Sequence, residues 1–357
     1  MSPSSPINRV LAAGSPDRYA KQVLFRGIGP EGQARIGASR VLVVGCGALG
    51  SALADGLTRA GVGFLRIVDR DIVDLTNLQR QVLYDEDDVA SGLPKAIAAA
   101  NKLRRINSSI SIEPIVGEVS CDNVLELFRD IDLVLDGLDN FETRFLLNDA
   151  SLATGTPWVY AGCLGSHGQT LPVFPGRSAC LRCLIDSPPE PGTGETCDTA
   201  GVIQPIISAL TALQIATALR ILAGHASEIE PALTLIDVWE NTHRTLSVER
   251  VRGDDGCPAC GRGERLWLSG ERRSQSAVLC GRNAVQVTPS SRGKLDLAEL
   301  AERLSTSGTV SRNPFLVKFL PRDSEFELTV FGDGRALVKG TEDPVVARSV
   351  YTRFIGG

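Results

Sequence analysis

Runs of apolar residues, broken by polar and glycine-rich turns, divide this chain into strands and helices. Residues 40–45, Arg-Val-Leu-Val-Val-Gly, are apolar after the first position. That is the pattern of a strand buried on both faces of a parallel sheet. An amphipathic stretch over 50–61 follows, and residues 64–69 (Phe-Leu-Arg-Ile-Val-Asp) make a second strand. Strand, glycine turn, helix and strand in that order open a doubly wound sheet. The alternation continues with a helix over 93–106, strands over 110–116 and 132–136, and a helix over 141–154. Strands at 158–161 and 168–174, an apolar helix at 202–223 and a strand at 233–239 complete it. The predicted class is α/β, with a Rossmann-like doubly wound sheet.

Upstream, residues 15–37 read as amphipathic helical segments interrupted by Gly27, Gly29 and Gly32, and residues 1–14 as a disordered tail. Residues 186–200 hold three prolines and read as a long mobile loop. Past Gly261 the character changes. Residues 263–276 are a polar linker, and 277–357 form a small α+β module. Its elements are strands at 284–288, 315–319, 325–331 and 336–339, with helices at 295–305 and 344–354.

At 357 residues, with 43% hydrophobic and 22% charged positions, the chain supports two or three domains whose core needs no disulfides. A net charge of −5 argues against a nucleic-acid partner. No run of about 18 uninterrupted apolar residues occurs, so no membrane span is expected. Four of the nine cysteines sit in metal-type pairs, which places the chain in the reducing cytoplasm.

The chemistry begins at Gly45-Cys-Gly47-Ala-Leu-Gly50, between the first strand and its helix. Glycines let the backbone approach a phosphate, and the helix N-terminus supplies free N–H groups. Asp69 ends the next strand and is placed to accept hydrogen bonds from ribose hydroxyls. A nicotinamide oxidoreductase shares this fingerprint. The polar run Asn77-Leu-Gln-Arg80-Gln81 and then Lys95 tilt it toward ATP, because a triphosphate needs several cations. Asp136, Asp139 and Asn140, at a strand's carboxyl end, offer hard oxygens suited to Mg²⁺; either aspartate alternatively caps the helix that starts near Phe141. Cys180-Leu-Arg-Cys183 and Cys257-Pro-Ala-Cys260 spell a closed four-thiolate Zn²⁺ site of structural type. Cys46, Cys121 and Cys163 read as packing residues, His167 as a turn residue, and Cys280 as a strand-edge cysteine. The terminal Gly356-Gly357 follows a predicted helix directly and reads as a frayed end.

Taken in order, these motifs resemble the molybdopterin-synthase and thiamine sulfur-carrier adenylyltransferases (the MoeB/ThiF/HesA group), relatives of the activating domain of ubiquitin-activating enzymes. The matching residues are Arg18-Tyr19-Ala-Lys21-Gln22, the glycine turn, Asp69-Arg-Asp71, Asn77 to Gln81, Pro94-Lys95, Asp136 to Asn140, Gly168-Gln169, both cysteine pairs, and Thr196-Cys197 through Val202. They cover about residues 15–262. The resemblance implies ATP-dependent adenylation of the C-terminal glycine of a small ubiquitin-like carrier ending in Gly-Gly. It implies that Asp69 holds the ribose, that Asn77, Arg80 and Lys95 hold the triphosphate, that Asp139 positions Mg²⁺, and that Asp71 and Asn140 belong to the same cofactor-binding set. It further implies a homodimer in which a basic residue of the partner's N-terminal helix reaches the phosphates. That residue is usually Arg and is Lys21 here, which keeps the charge and loses the fork. Cys197 stands where such enzymes carry a transferable thiol when they use one; others need only the adenylate.

Overall fold

The structure, a computed structural model, describes residues 18–188, 200–253, 256–272, 277–279, 283–287, 295–322 and 324–356. The expected tail over 1–14, most of the loop over 186–200, and Cys197 and Cys280 lie outside them. Five parallel strands form the heart: β1 (Arg40–Val44), β2 (Phe64–Asp69), β3 (Ser111–Val116), β4 (Leu133–Asp136) and β5 (Trp158–Leu164). Antiparallel strands β6 (His167–Val173), β7 (Ala232–Asp237) and β8 (Thr242–Ser247) extend the sheet beyond β5, giving the order β3-β2-β1-β4-β5-β6-β7-β8. β1 lies between β2 and β4. The winding therefore changes direction there, and the crevice beyond the carboxyl ends of β1 and β4 is the topological switch point where such folds bind ligands.

Helices α1 (Ala48–Ala60), α2 (Lys95–Ile106), α3 (Phe141–Thr154) and α4 (Gln204–Arg220) cover the sheet. α1 buries Leu49, Leu53 and Leu57, a spacing of four that keeps them on one face. It stops at Gly61, which adopts the left-handed conformation (φ 84°) and returns its N–H to Leu57 O. α4 belongs to a helical run, Gln204–Glu228, that is long and apolar enough to cross a membrane by length and composition. A search for uninterrupted apolar residues passes over it because Thr211, Gln214 and Thr217 interrupt the run. In the fold α4 is a core helix that buries Ile206, Ile207, Leu210 and Gln214 and packs on α1 and β6.

A second, wholly antiparallel sheet has the order β11-β12-β13-β14-β10-β9. Its strands are β9 (Ala277–Leu279), β10 (Ala284–Val287), β11 (Gly308–Arg312), β12 (Leu316–Pro321), β13 (Glu327–Phe331) and β14 (Ala336–Lys339). Helices α5 (Leu297–Ser305) and α6 (Pro344–Phe354) close its core around Val317, Phe319, Leu328 and Val338. This unit contacts loops of the first through Asn313 Nδ2, which donates to Gly92 O at 3.0 Å, and Gln286 Nε2, which donates to Glu118 Oε2 at 3.0 Å. β8, β9 and β11 are additions to the pattern read from sequence. All six β8 residues are exposed, and β11 places a single apolar side chain, Val310, against the core, too little for a period to be read.

Behind the switch point lies a buried ion pair. Arg144 Nε donates to Asp136 Oδ2 at 3.0 Å, Arg144 Nη2 donates to Leu138 O at 2.6 Å, and Leu138 N donates to Asp136 Oδ1 at 2.8 Å. These contacts fasten the loop after β4. Burial first raises the Asp136 pKa, and Arg144 opposes that rise. Asp136→Ala strands a buried guanidinium, so unfolding stability should fall by about 3–5 kcal/mol. A urea titration followed by circular dichroism measures it; an unshifted midpoint contradicts the clamp.

Candidate nucleotide site and thiolate cluster

The turn at the end of β1 is glycine for steric reasons. Gly45 has φ +82°, and a Cβ there would stand 2.7 Å from Gly137 O. A Cβ on Gly50 would stand 1.8 Å from Gly45 O. Gly47 differs: it is the N-cap of α1, and no side chain caps that helix. The first N–H groups of α1 therefore face the crevice without an intrahelical acceptor, as a phosphate requires.

Asp69 is fastened to this turn. Its Oδ2 accepts from Cys46 N at 2.6 Å and its Oδ1 from Asp71 N at 2.7 Å. Burial raises its pKa, and the Lys95 charge pulls it back. Lys95 is 2% exposed, with Nζ 3.2 Å from Asp71 Oδ2. The fold thus brings Asp69, Asp71 and Lys95 to the glycine turn. Arg70, which carries no role in the sequence reading, joins them. Its Nη1 lies 2.7 Å from Glu118 Oε1, and its Nε 3.9 Å from Asp71 Oδ1. Its place directly after Asp69 was the available signal.

Asn77 is buried, and its Oδ1 accepts from Asp74 N. Half-buried Arg80 donates from Nη1 to Thr76 O at 3.0 Å. Asp139 is exposed on the loop after β4. The helix cap is neither aspartate: Asn140 Oδ1 accepts from Thr143 N, since residue 140 immediately precedes the helix while Asp136 is committed to Arg144. Lys21 is exposed on the short helix Ala20–Val23. His167 opens β6 instead of lying in a turn; it is exposed, 3.6 Å from Asp237 Oδ2.

The four paired cysteines meet. Cys180, Cys183, Cys257 and Cys260 place all four sulfurs within 4.8 Å of one another, the one such donor group among the described residues. Sγ separations are 3.7 Å for Cys180–Cys257, 3.4 Å for Cys183–Cys260 and 3.9 Å for Cys180–Cys183. A tetrahedral zinc tetrathiolate with bonds of about 2.3 Å has sulfurs about 3.8 Å apart, so the cluster fits that ion. The hydrogen bond from Cys180 pulls the Cys183 thiol down to about 4, while burial pushes Cys260 up to about 12. Burial likewise pushes the Cys46 thiol up to about 12, which leaves it a packing residue. Cys121 and Cys163 are half-buried.

Comparison with known proteins agrees with this geometry. Residues 19–259 match the model of the ThiF family. The chain is 44% identical over 340 residues to the sulfur carrier protein ThiS adenylyltransferase of Bacillus subtilis, covering 95% of this chain and 99% of that one. It is 38% identical over 250 residues to the sulfur carrier protein adenylyltransferase of Thermus thermophilus, covering 69% and 90%. The adenylyltransferase and sulfurtransferase MOCS3 of Sus scrofa is 37% identical over 261 residues, with 72% of this chain and 56% of that one covered. In fold, the chain resembles E. coli MccB crystallised with ATP, with a TM-score of 0.60 and 21% identity over 69% of this chain and 75% of that one.

Purified from zinc-containing medium, the protein should carry about one zinc per chain by elemental analysis. Cys183→Ser should lose that metal and lower the melting temperature. A metal-free protein of unchanged melting temperature would refute the cluster as a metal site.

Proposed function

The chain belongs to the ThiF family, and we propose that the turn Gly45–Gly50 is where it binds ATP and adenylates its protein substrate. It is an adenylyltransferase of a small ubiquitin-like sulfur carrier. The observation that carries the site assignment is the convergence of Asp69, Asp71 and Lys95 on an uncapped helix N-terminus at the switch point.

In this reading the ribose hydroxyls bind Asp69, and the phosphates lie over the first amides of α1. Lys95 and Arg80 stabilise the charge on the phosphates, with Asn77 behind them. A carboxylate oxygen of the carrier's C-terminal glycine bonds to the α-phosphorus as the bond to the bridging oxygen breaks, and pyrophosphate leaves with the electron pair. No protein nucleophile is needed; catalysis is positioning plus charge stabilisation. Asp139 and Asn140 would hold Mg²⁺, which supplies charge neutralisation on the phosphate oxygens. The four cysteines would hold Zn²⁺ as a closed structural site. The carrier presents an extended Gly-Gly end, and a second copy of the chain brings exposed Lys21 toward the phosphates. Residues 15–262 act as the adenylation unit; of the segment 263–276 read as a linker, Trp267 and Leu268 instead pack onto that unit because Trp267 is buried and both amides donate to Asp149, and 277–357 is a recognition or regulatory module. A reducing cytoplasm suits the thiolates.

ATP–pyrophosphate exchange tests the reading. With a ThiS-type carrier ending in Gly-Gly, exchange should appear, require the carrier, and fall by at least about 10²-fold in Asp139→Ala. A folded, zinc-loaded protein that supports no exchange with any such carrier would overturn it.

A further inference from the structure

The C-terminal module reaches the first unit through Gln286 and Asn313, and the two contacts lead to the Asp71–Lys95 pair from opposite sides. On the Asp71 side the link is a shared carboxylate. Glu118 Oε2 accepts from Gln286 Nε2 at 3.0 Å, while its Oε1 holds Arg70 Nη1 at 2.7 Å. Arg70 is thereby kept on Glu118, and its Nε stands 3.9 Å from Asp71 Oδ1. Asp71 Oδ2 meets Lys95 Nζ at 3.2 Å. On the Lys95 side the link runs through the backbone. Asn313 Oδ1 accepts from Phe315 N and Leu316 N, which fixes the amide so that Nδ2 donates to Gly92 O. Gly92 is buried at the end of the helix Glu86–Ser91, so its carbonyl needs a partner, and the module supplies it. Three residues on, Lys95 N donates to Asp71 O at 2.8 Å.

We propose that Gln286 is a positioning residue for adenylation: from the C-terminal module it orients Glu118, which keeps Arg70 off Asp71 and leaves Asp71 to Lys95. This rests on the adenylation reading above, in which Lys95 stabilises the charge on the nucleotide phosphates. Glu118 and Arg70 are half-buried, long side chains with several rotamers open to them. A carboxylate held at one oxygen can swing about that contact; held at both oxygens, it is fixed. Without the Gln286 donor, Glu118 loosens and Arg70 turns to the Asp71 carboxylate beside it. A guanidinium on Asp71 competes with Lys95 for that carboxylate, and the ammonium meets the phosphates from a different place. Asn313 holds the segment before Lys95 at the same time, so the module grips the pair from both ends. The effect of Gln286 therefore falls on ATP.

The test uses the full-length, zinc-loaded chain with a ThiS-type Gly-Gly carrier, in ATP–pyrophosphate exchange. Gln286→Leu is close in size and cannot donate. Its KM for ATP should rise by about 10-fold, with the KM for the carrier and the melting temperature little changed. A purely structural role would lower the melting temperature and would not single out ATP. Glu118→Gln should raise the KM for ATP as well. Adding Gln286→Leu to Glu118→Gln should raise it no further, because both act through one carboxylate. Should Gln286→Leu not fold, Gln286→Glu, which keeps the shape and sets a second carboxylate against Glu118, carries the same readouts. An unchanged KM for ATP, an equal rise in both KM values, or additive effects in the double variant overturns the role of Gln286 alone. Wild-type protein without exchange overturns the adenylation reading and this inference with it.

Discussion

Three glycines, Gly45 and Gly137 in two loops and Gly50 in the first turn of α1, touch at the carboxyl ends of β1 and β4, and the candidate site depends on that contact. A Cβ on Gly137 would lie 2.6 Å from Gly45 O and 2.8 Å from Gly50 Cα. A Cβ on Gly50 would be closer still to Gly45 O. No side chain fits between these backbones, so the turn lies directly on the loop after β4 and α1 starts at the edge of the sheet. Gly137 N donates to Val44 O at 2.9 Å, which ties the second loop to the first strand. The buried Arg144–Asp136 pair holds that second loop from behind. The contact is therefore enforced from both sides, and the free amides of α1 are fixed before any ligand arrives.

Charge in the crevice is arranged as a series of alternating sign. Lys95 faces Asp71, Asp71 faces Arg70, and Arg70 faces Glu118. Alternation lets these groups leave water, since each desolvated charge has an opposite neighbour. In the proposed reading it also bears on how a polyphosphate would enter. An ammonium has three donors, so Lys95 can keep Asp71 and still meet a phosphate oxygen. A guanidinium has five, so Arg80 can hold Thr76 O and present other N–H groups outward. The cations are thus pre-positioned by partners that they need not release.

How legible all this was depends on the kind of residue. β1 and β4 were readable because strands buried on both faces are unbroken apolar runs, and β2 because only Arg66 interrupts its run. β8 and β11 were not, because edge strands of exposed polar residues carry no period. The glycine turn, Asp69 and the paired cysteines were readable because spacing alone encodes them. The pairing of Arg70 with Glu118 was not. The two are 48 positions apart, and they meet only because β2 and β3 align Asp69 with Val116. Gln81 lay inside a recognised motif, but the burial of its Oε1 without a donor is visible only in the fold.

The thiolate cluster acts well beyond its four sulfurs. A metal held there would link residues 77 positions apart, and closing so long a loop would remove much of the freedom of the unfolded chain. The segment after the second cysteine pair is then strapped to α3. Trp267 N and Leu268 N both donate to Asp149 Oδ2, at 3.0 and 3.4 Å, and the Trp267 ring stacks on Phe145 at 4.5 Å. Asp149 and Phe145 sit on α3, the helix whose cap is Asn140 and whose preceding residue is Asp139. Cluster, strap, helix and loop thus form one mechanical series, and each link is buried or hydrogen-bonded. A metal bound at the cluster would hold the start of this strap, two buried contacts away from α3.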